Sequence, residues 1–381
     1  MAPQKLSLAE TQAKFKQFYQ KNLQKDYENL EIKRIKYLKK FWLYLFAYTA
    51  LLFIVFAIHN RGYIGQDWFS NIAAVVIIAG CIAVYMQIRN YRDDTKNMSM
   101  KKVLSFWGNF SYHNSCSSSH PKNIKSSELF AYYNCEETDE SFSGSYSGTS
   151  INVAEQELRI KGNKHDIYIF RGVLILLDFQ KKYNRKTVVI SKGRWWGFIK
   201  NNPLFIITLS LLSVPLFFAG YIFLESGLPS DWGYLYPLLI PFGAFLFVAI
   251  TYFIYQHYNP KKATQKVVLE DLSFLRKWNV YTNNQIDARY ILTPHFMEKI
   301  VEIKRLFHGH AVDFSFFGGK LLIAVHTNKD MFETTSLFRR ATDYRPMAEV
   351  VEQLHSIFSV IDVIKAQKNI SSENINAKTN G

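Results

Sequence analysis

Four runs of the chain, residues 41–58, 68–88, 204–224 and 232–256, contain no charged side chain. A helix rises about 1.5 Å per residue and needs roughly 20 apolar residues to cross ~30 Å of hydrocarbon, so each run is long enough, or nearly so, to span a bilayer. Short polar links at 59–67 and 225–231 group the runs into two transmembrane hairpins. Ahead of the first, Ser7 and Glu10 have the spacing of a capping box, and Phe15, Tyr19, Leu23, Tyr27 and Leu30 recur at three to four residues. This predicts an amphipathic helix. Its apolar stripe is expected to pack on protein rather than lie on lipid, because Glu10, Asp26, Glu28 and Glu31 dilute the basic face that an interfacial helix prefers.

Between the hairpins the period changes. The segment 111–148, rich in Ser, Gly and Tyr, reads as loops between short strands. TSINVAEQELRI, HDIYIFRGVLILLDF and KTVVI, rich in β-branched and aromatic residues, read as strands, with QKKYNR as a polar turn before the last. Strand signals resume after the second hairpin in KVVLE, WNVYT and ARYILT. Thr293 followed by Pro294 marks a helix start, with Phe296, Ile300, Ile303 and Phe307 on one face. VDFSFFGGKLLIAVH is a β-hairpin turning at Gly318-Gly319, and a last helix is expected over 346–366. Neither set of strands alone is rich enough to bury a core. The predicted architecture is therefore an α+β helical membrane protein: N-terminal cytoplasmic helix (1–40), transmembrane hairpin 1 (41–88), a mixed sheet and helix cytoplasmic domain in two parts (100–192 and 264–366), hairpin 2 inserted between them (195–257), and a disordered tail (367–381).

The net charge of +15 sharpens the topology. Lys33, Arg34, Lys36, Lys39 and Lys40 precede the first run; Arg89, Arg92, Lys96, Lys101 and Lys102 follow the second. Lys192, Arg194 and Lys200 precede the third, and Lys261, Lys262 and Lys266 follow the fourth. The hairpin tips hold one basic residue, Arg61. The positive-inside rule then puts both termini in the cytoplasm. Basic residues beside spans, without basic-aromatic motifs, argue against nucleic acid as a partner and for the lipid bilayer. Trp42, Trp68, Trp195, Trp196 and Trp232 sit at run ends as interface anchors.

FRGVLILLDFQKKYNRKTVVI (170–190), LEDLSFLRKWNVYTNNQIDARYILTPHFMEKI (269–300) and VDFSFFGGKLLIAV (312–325) resemble the bacterial membrane-protein family catalogued as domain of unknown function 3137. The resemblance implies a membrane-anchored cytoplasmic domain of uncharacterised activity, with the bacterial inner membrane as the expected location, and carries over no catalytic residues. It also implies a neighbouring LemA-like membrane protein as a partner. The second hairpin departs from the family pattern, in which the corresponding strands are joined by a soluble connection.

Candidate chemistry is sparse. Asp287 and Arg289, two apart, share a face if DARYILTP is a strand, and with Tyr290 they form the one candidate binding site; the competing reading is a structural ion pair. His308 and His310 have no evident third metal ligand and read as solvated loop residues. Asp139-Glu140 and Glu270-Asp271 are sequence neighbours that do not converge as a catalytic acid and base must. Cys81, Cys116 and Cys135 have no metal-binding spacing. No catalytic residue, metal site or cofactor is assigned. The absence of ionisable residues in the four runs argues against ion-coupled transport. The expected function is a membrane-tethered binding or scaffold module, partnered by another membrane protein or a second copy. The alternatives are an enzyme acting on a membrane-proximal substrate and a component of a transport assembly.

Overall fold

The computed structural model describes residues 7–114, 121–130, 132–162, 166–179, 186–194, 265–267 and 269–379. The predicted second hairpin, the QKKYNR turn, Cys116, and Trp195, Trp196 and Trp232 lie outside the described residues. The chain divides into two compact units, Met1–Tyr112 with Phe332–His355, and His113–Met331 with Ser356–Gly381.

In the first unit, helix α1 (Leu8–Phe18) opens on the predicted capping box: the Ser7 amide donates to Glu10 Oε2 at 2.8 Å, and the Glu10 amide to Ser7 Oγ at 3.3 Å. A π-turn (Tyr19–Leu23) joins it to α2 (Gln24–Asn60). The turn has a reason in the stripe. At about 100° per residue, a repeat of four runs 40° past a full turn, so the stripe drifts around an α-helix, and the extra residue of a π-turn takes up most of that drift. Phe15, Tyr19, Leu23, Tyr27 and Leu30 are accordingly all buried. Phe15 packs on Phe106 and Tyr344, at ring separations of 5.2 and 5.9 Å, so the stripe's partner is the protein itself.

Helix α3 (Gln66–Leu104) returns alongside α2. The two approach closely at Gly80, where a Cβ would lie 3.1 Å from Tyr48 Cβ; small residues permit such backbone contact. Both helices are long and apolar enough to cross a membrane, and only 6% of each apolar window is buried. Cys81, Trp42 and Trp68 are exposed there.

The described strands form one sheet in the order β1-β2-β3-β4-β9-β8-β5-β7-β6, and β2 to β9 belong to the second unit. These are β1 (Ser111–Asn114), β2 (Cys135–Tyr146), β3 (Thr149–Ile160), β4 (Ile167–Asp178), β5 (Thr187–Ser191), β6 (Gln265–Val267), β7 (Trp278–Thr282), β8 (Ala311–Phe317) and β9 (Lys320–His326). Strands before and after residues 195–264 interleave: β4 pairs with β9, and β5 with β7 and β8, all antiparallel.

Both faces of the sheet's central strands are apolar. One, with Leu158, Phe170, Leu174, Leu322 and Ala324, is covered by α4 (Pro121–Ser127) and the residues after it, Leu129, Phe130 and Tyr133. On the other, Phe296 of a Thr293-capped helix (Pro294–Leu306) packs edge-on against Phe314 at 5.5 Å. The β8–β9 turn falls at Gly318-Gly319, both at positive φ, as predicted.

Three expectations change. Cys135–Tyr146 is one 12-residue strand rather than loops between short strands, because it pairs with β3 on both sides of a bulge at Asp139 and connects to it through a turn at Ser147-Gly148. ARYILT belongs mostly to a helix (Gln285–Ile291), not a strand: the Asn284 side chain accepts from the amides of Ile286 and Asp287 and starts it, overriding the β preference of Tyr290 and Ile291. The last helix runs over Arg345–Thr379, past the expected start of a disordered tail, since extending a formed helix adds one bond per residue without a new nucleus.

Candidate functional site

Two groups of polar residues in the sheet unit stand out against its apolar surroundings. The first is sealed inside. Asp313, between Val312 and Phe314 on β8, is fully buried, with His326 (2% exposed) and Arg194 (4%) beside it. Asp313 Oδ1 accepts the Ser191 amide at 2.7 Å; Oδ2 lies 2.9 Å from His326 Nε2 and 3.3 Å from Arg194 Nη1. Arg194 Nη1 also donates to the Leu129 carbonyl at 2.7 Å, and its guanidinium lies over the Phe130 ring.

Burial alone would push the Asp313 carboxyl up; the Arg194 charge and the bonds from His326 and Ser191 outweigh it and hold the carboxyl below its ordinary value. Burial likewise keeps His326 below the ordinary imidazole value, against the pull of Asp313. The ionised carboxylate can only accept, so Nε2 of a neutral His326 carries the proton. The arrangement is that of a clamp. It ties the turn after β5 and the loop at Leu129 to the β8–β9 hairpin, and its burial closes it to any substrate. Arg194 was expected among the basic residues flanking the second hairpin. It is buried here because Asp313 supplies a charge partner inside the protein.

The second group is open: a groove of about 500 Å³ lined by Glu136, Glu137, Thr138, Asp139, Glu155, Gln156, Glu157, Arg171, Gly172 and Asp330. Strand register builds it. Glu155 and Glu157 alternate with Gln156 and so share a face of β3, where Glu137 stands opposite Glu157 and Arg171 opposite it on the other side. The β2 register slips between Thr138 and Glu140, and that bulge brings Asp139, Glu140 and Glu155 together with carboxylate oxygens within 4.8 Å of one another. Arg171 pairs with Glu157 at 3.0 Å, and Arg159 pairs with Glu137 and, at 3.1 Å, with Asp166. Burial pushes the Glu157 carboxyl up against the pull of Arg171 and Arg159. Six carboxylates and one guanidinium line the groove, a balance that favours a cationic guest. Of the three carboxylates gathered by the bulge, Asp139 and Glu155 line the groove, whereas Glu140 is buried and does not.

Sequence neighbours Asp139 and Glu140 thus do converge, through a bulge and a residue from the next strand. Asp287 and Arg289, expected to share a face of a strand, lie instead on the helix Gln285–Ile291 with Tyr290. In a helix, positions two apart are about 200° apart, and Arg289 and Tyr290 are exposed while Ala288 is the buried residue of that turn. His310 is half-buried rather than solvated: its amide donates to the His326 carbonyl at 3.0 Å and its ring lies 5.9 Å from that of His326; His308 is exposed. Asp271 caps the helix Leu272–Lys277. An aspartate between Val312 and Phe314 in the mostly apolar hairpin 311–326 is the available sign of the clamp.

The sheet unit is thus an α+β body with a closed ionic clamp and an open acidic groove. The family described as "Protein of unknown function (DUF3137)" matches residues 228–366, which bears out the resemblance in the sequence. No curated protein matches the chain. The crystal structure of the mycobacterial trehalose monomycolate transport factor A, TtfA, aligns with a TM-score of 0.29 and 10% identity over 70% of this chain and 95% of that one. A likeness so remote carries neither fold nor function across.

Proposed function

We propose that this is a multi-pass membrane protein whose α+β body is a binding or scaffold module, with the acidic groove as the docking site for a cationic group of its partner. In this reading α2 and α3 are the first transmembrane hairpin, the uncharged runs at 204–224 and 232–256 are the second, and the body lies in the cytoplasm. The observation that carries the binding role is the crowding of carboxylates from β2 and β3 in an open groove.

The test uses the full chain in detergent with pentalysine and with Ca²⁺ as separate probes, by calorimetric titration. Tighter binding by the parent than by a Glu137→Gln, Glu155→Gln, Glu157→Gln variant of unchanged melting temperature supports the assignment. Equal binding by both proteins removes the groove from consideration.

A further inference from the structure

The segment before the last helix traces a course along α2 and α3 within the first unit. Thr334 Oγ1 donates to Ser99 Oγ at 2.6 Å, and the Thr335 and Thr95 hydroxyls bond at 3.0 Å. Arg34 Nη1 then donates to the Leu337 carbonyl at 3.0 Å, and Phe338 meets the Phe41 ring edge-on at 5.1 Å. The chain then turns back: the Ala341 amide donates to Glu31 Oε2 at 2.7 Å, and the Tyr344 ring lies 5.6 Å from that of Tyr19. The strap therefore climbs to the first residue of the uncharged run in α2, reverses over Phe338, Arg339 and Arg340, and descends. Glu31 and Arg34, paired at 2.7 Å, pin both limbs of the turn.

The tip has an unusual composition for a surface turn. Phe338 is 60% exposed, and the Phe41 ring it meets also packs on that of Trp42 (47% exposed) at the start of the uncharged run. Arg339 and Arg340 are exposed, as are Lys36, Lys39 and Lys40 on α2. The carboxylates that face the two arginines, Asp343 and Glu31, are already bonded to Arg345 and Arg34.

We propose that the Phe338–Arg340 turn is a membrane-interface wedge that recognises anionic phospholipid headgroups; this rests on the reading of α2 and α3 as a transmembrane hairpin. Phe338 enters the interface at the level of Phe41 and Trp42, where aromatic rings are favoured. The guanidinium forks of Arg339 and Arg340 meet phosphate oxygens in two-point hydrogen bonds, and the α2 lysines extend the same positive collar. A lipid surface fits better than a protein partner. The wedge is continuous with the exposed apolar surface of the hairpin, and its charge is of one sign. Each arginine is expected to favour the seated tip about fivefold on an anionic surface, and the pair about 25-fold.

The test places an environment-sensitive fluorophore on Phe338→Cys, with Cys81→Ala, Cys116→Ser and Cys135→Ser, in the full chain in nanodiscs. The expected result is quenching by spin-labelled lipid and shielding from iodide in discs containing phosphatidylglycerol. The seated fraction should fall sharply in phosphatidylcholine discs and in an Arg339→Gln, Arg340→Gln variant of unchanged melting temperature. A probe open to iodide in both discs overturns the proposal, as does seating that is equal without anionic lipid. A probe shielded from both quenchers means that protein covers the tip, and overturns it too. Alkaline carbonate extraction of native membranes separates the two levels: release of the chain refutes the hairpin reading, whereas a retained chain with a wetted tip refutes only the wedge.

Discussion

Replacing Asp313 by alanine removes three hydrogen-bonded or ionic contacts at once. The Ser191 amide at 2.7 Å, His326 Nε2 at 2.9 Å and Arg194 Nη1 at 3.3 Å all lose their acceptor in a place that water does not reach. Breaking a buried pair by deleting one partner costs about 3–5 kcal/mol, mostly because the surviving charge is left in a low dielectric. With Arg194 only 4% exposed, solvent screening does little to reduce this. For a unit of this size each kcal/mol lowers the melting temperature by about 2–4 °C, so Asp313→Ala should melt roughly 6–20 °C lower. Thermal unfolding of the detergent-solubilised full chain, followed by intrinsic fluorescence, measures it. The companion variant Asp313→Leu, Arg194→Met removes both charges and should regain most of the loss, since apolar residues of similar volume commonly replace a buried ion pair without penalty. A single variant within about 3 °C of the parent, or a double variant as unstable as the single one, would falsify the clamp.

The same clamp predicts a pH dependence. His326 has a folded pKa below the ordinary 6.5, so between these values the unfolded chain binds a proton that the folded chain refuses, and stability falls as pH drops below 6.5. The slope is at most about 1.4 kcal/mol per pH unit, Asp313 adds to it in the same direction only below its ordinary 3.8, and His326→Gln should flatten the profile between pH 6.5 and 5; an unchanged profile in denaturant titrations counts against it. Gly172→Ala puts a Cβ 2.1 Å from the Val325 carbonyl oxygen at φ +146°, so the β4–β9 pairing should fail and the protein should be recovered as aggregate; a soluble variant with the parent's melting temperature contradicts the register. Gly80→Leu pushes into Tyr48 and should separate α2 from α3, read as lost crosslinking between cysteines placed on facing turns; undiminished crosslinking refutes that contact.

What the sequence discloses, and what it hides, follows from how local each feature is. The 311–326 hairpin, the Thr293-capped helix and the N-terminal stripe rest on turn chemistry, capping and periodicity, all readable within a dozen residues. Helix Gln285–Ile291 was misread because a side-chain cap from Asn284 decided against the β preference of Tyr290 and Ile291. The acidic groove needs a one-residue bulge in β2 and a register with β3, and neither leaves a periodic trace. The clamp joins Arg194 to residues 119 and 132 positions further on, so only the oddity of Asp313 in an apolar strand pointed to it. The strap tip at Phe338 carries no periodicity at all.

The interleaved sheet also sets a timetable for biosynthesis. Strand β4, IYIFRGVLILLD, leaves the ribosome about 150 residues before its neighbour β9 is finished, roughly 7–30 s at ordinary elongation rates. Throughout that interval the edge of β4 that β9 will cover is unclosed and open to pairing with another chain.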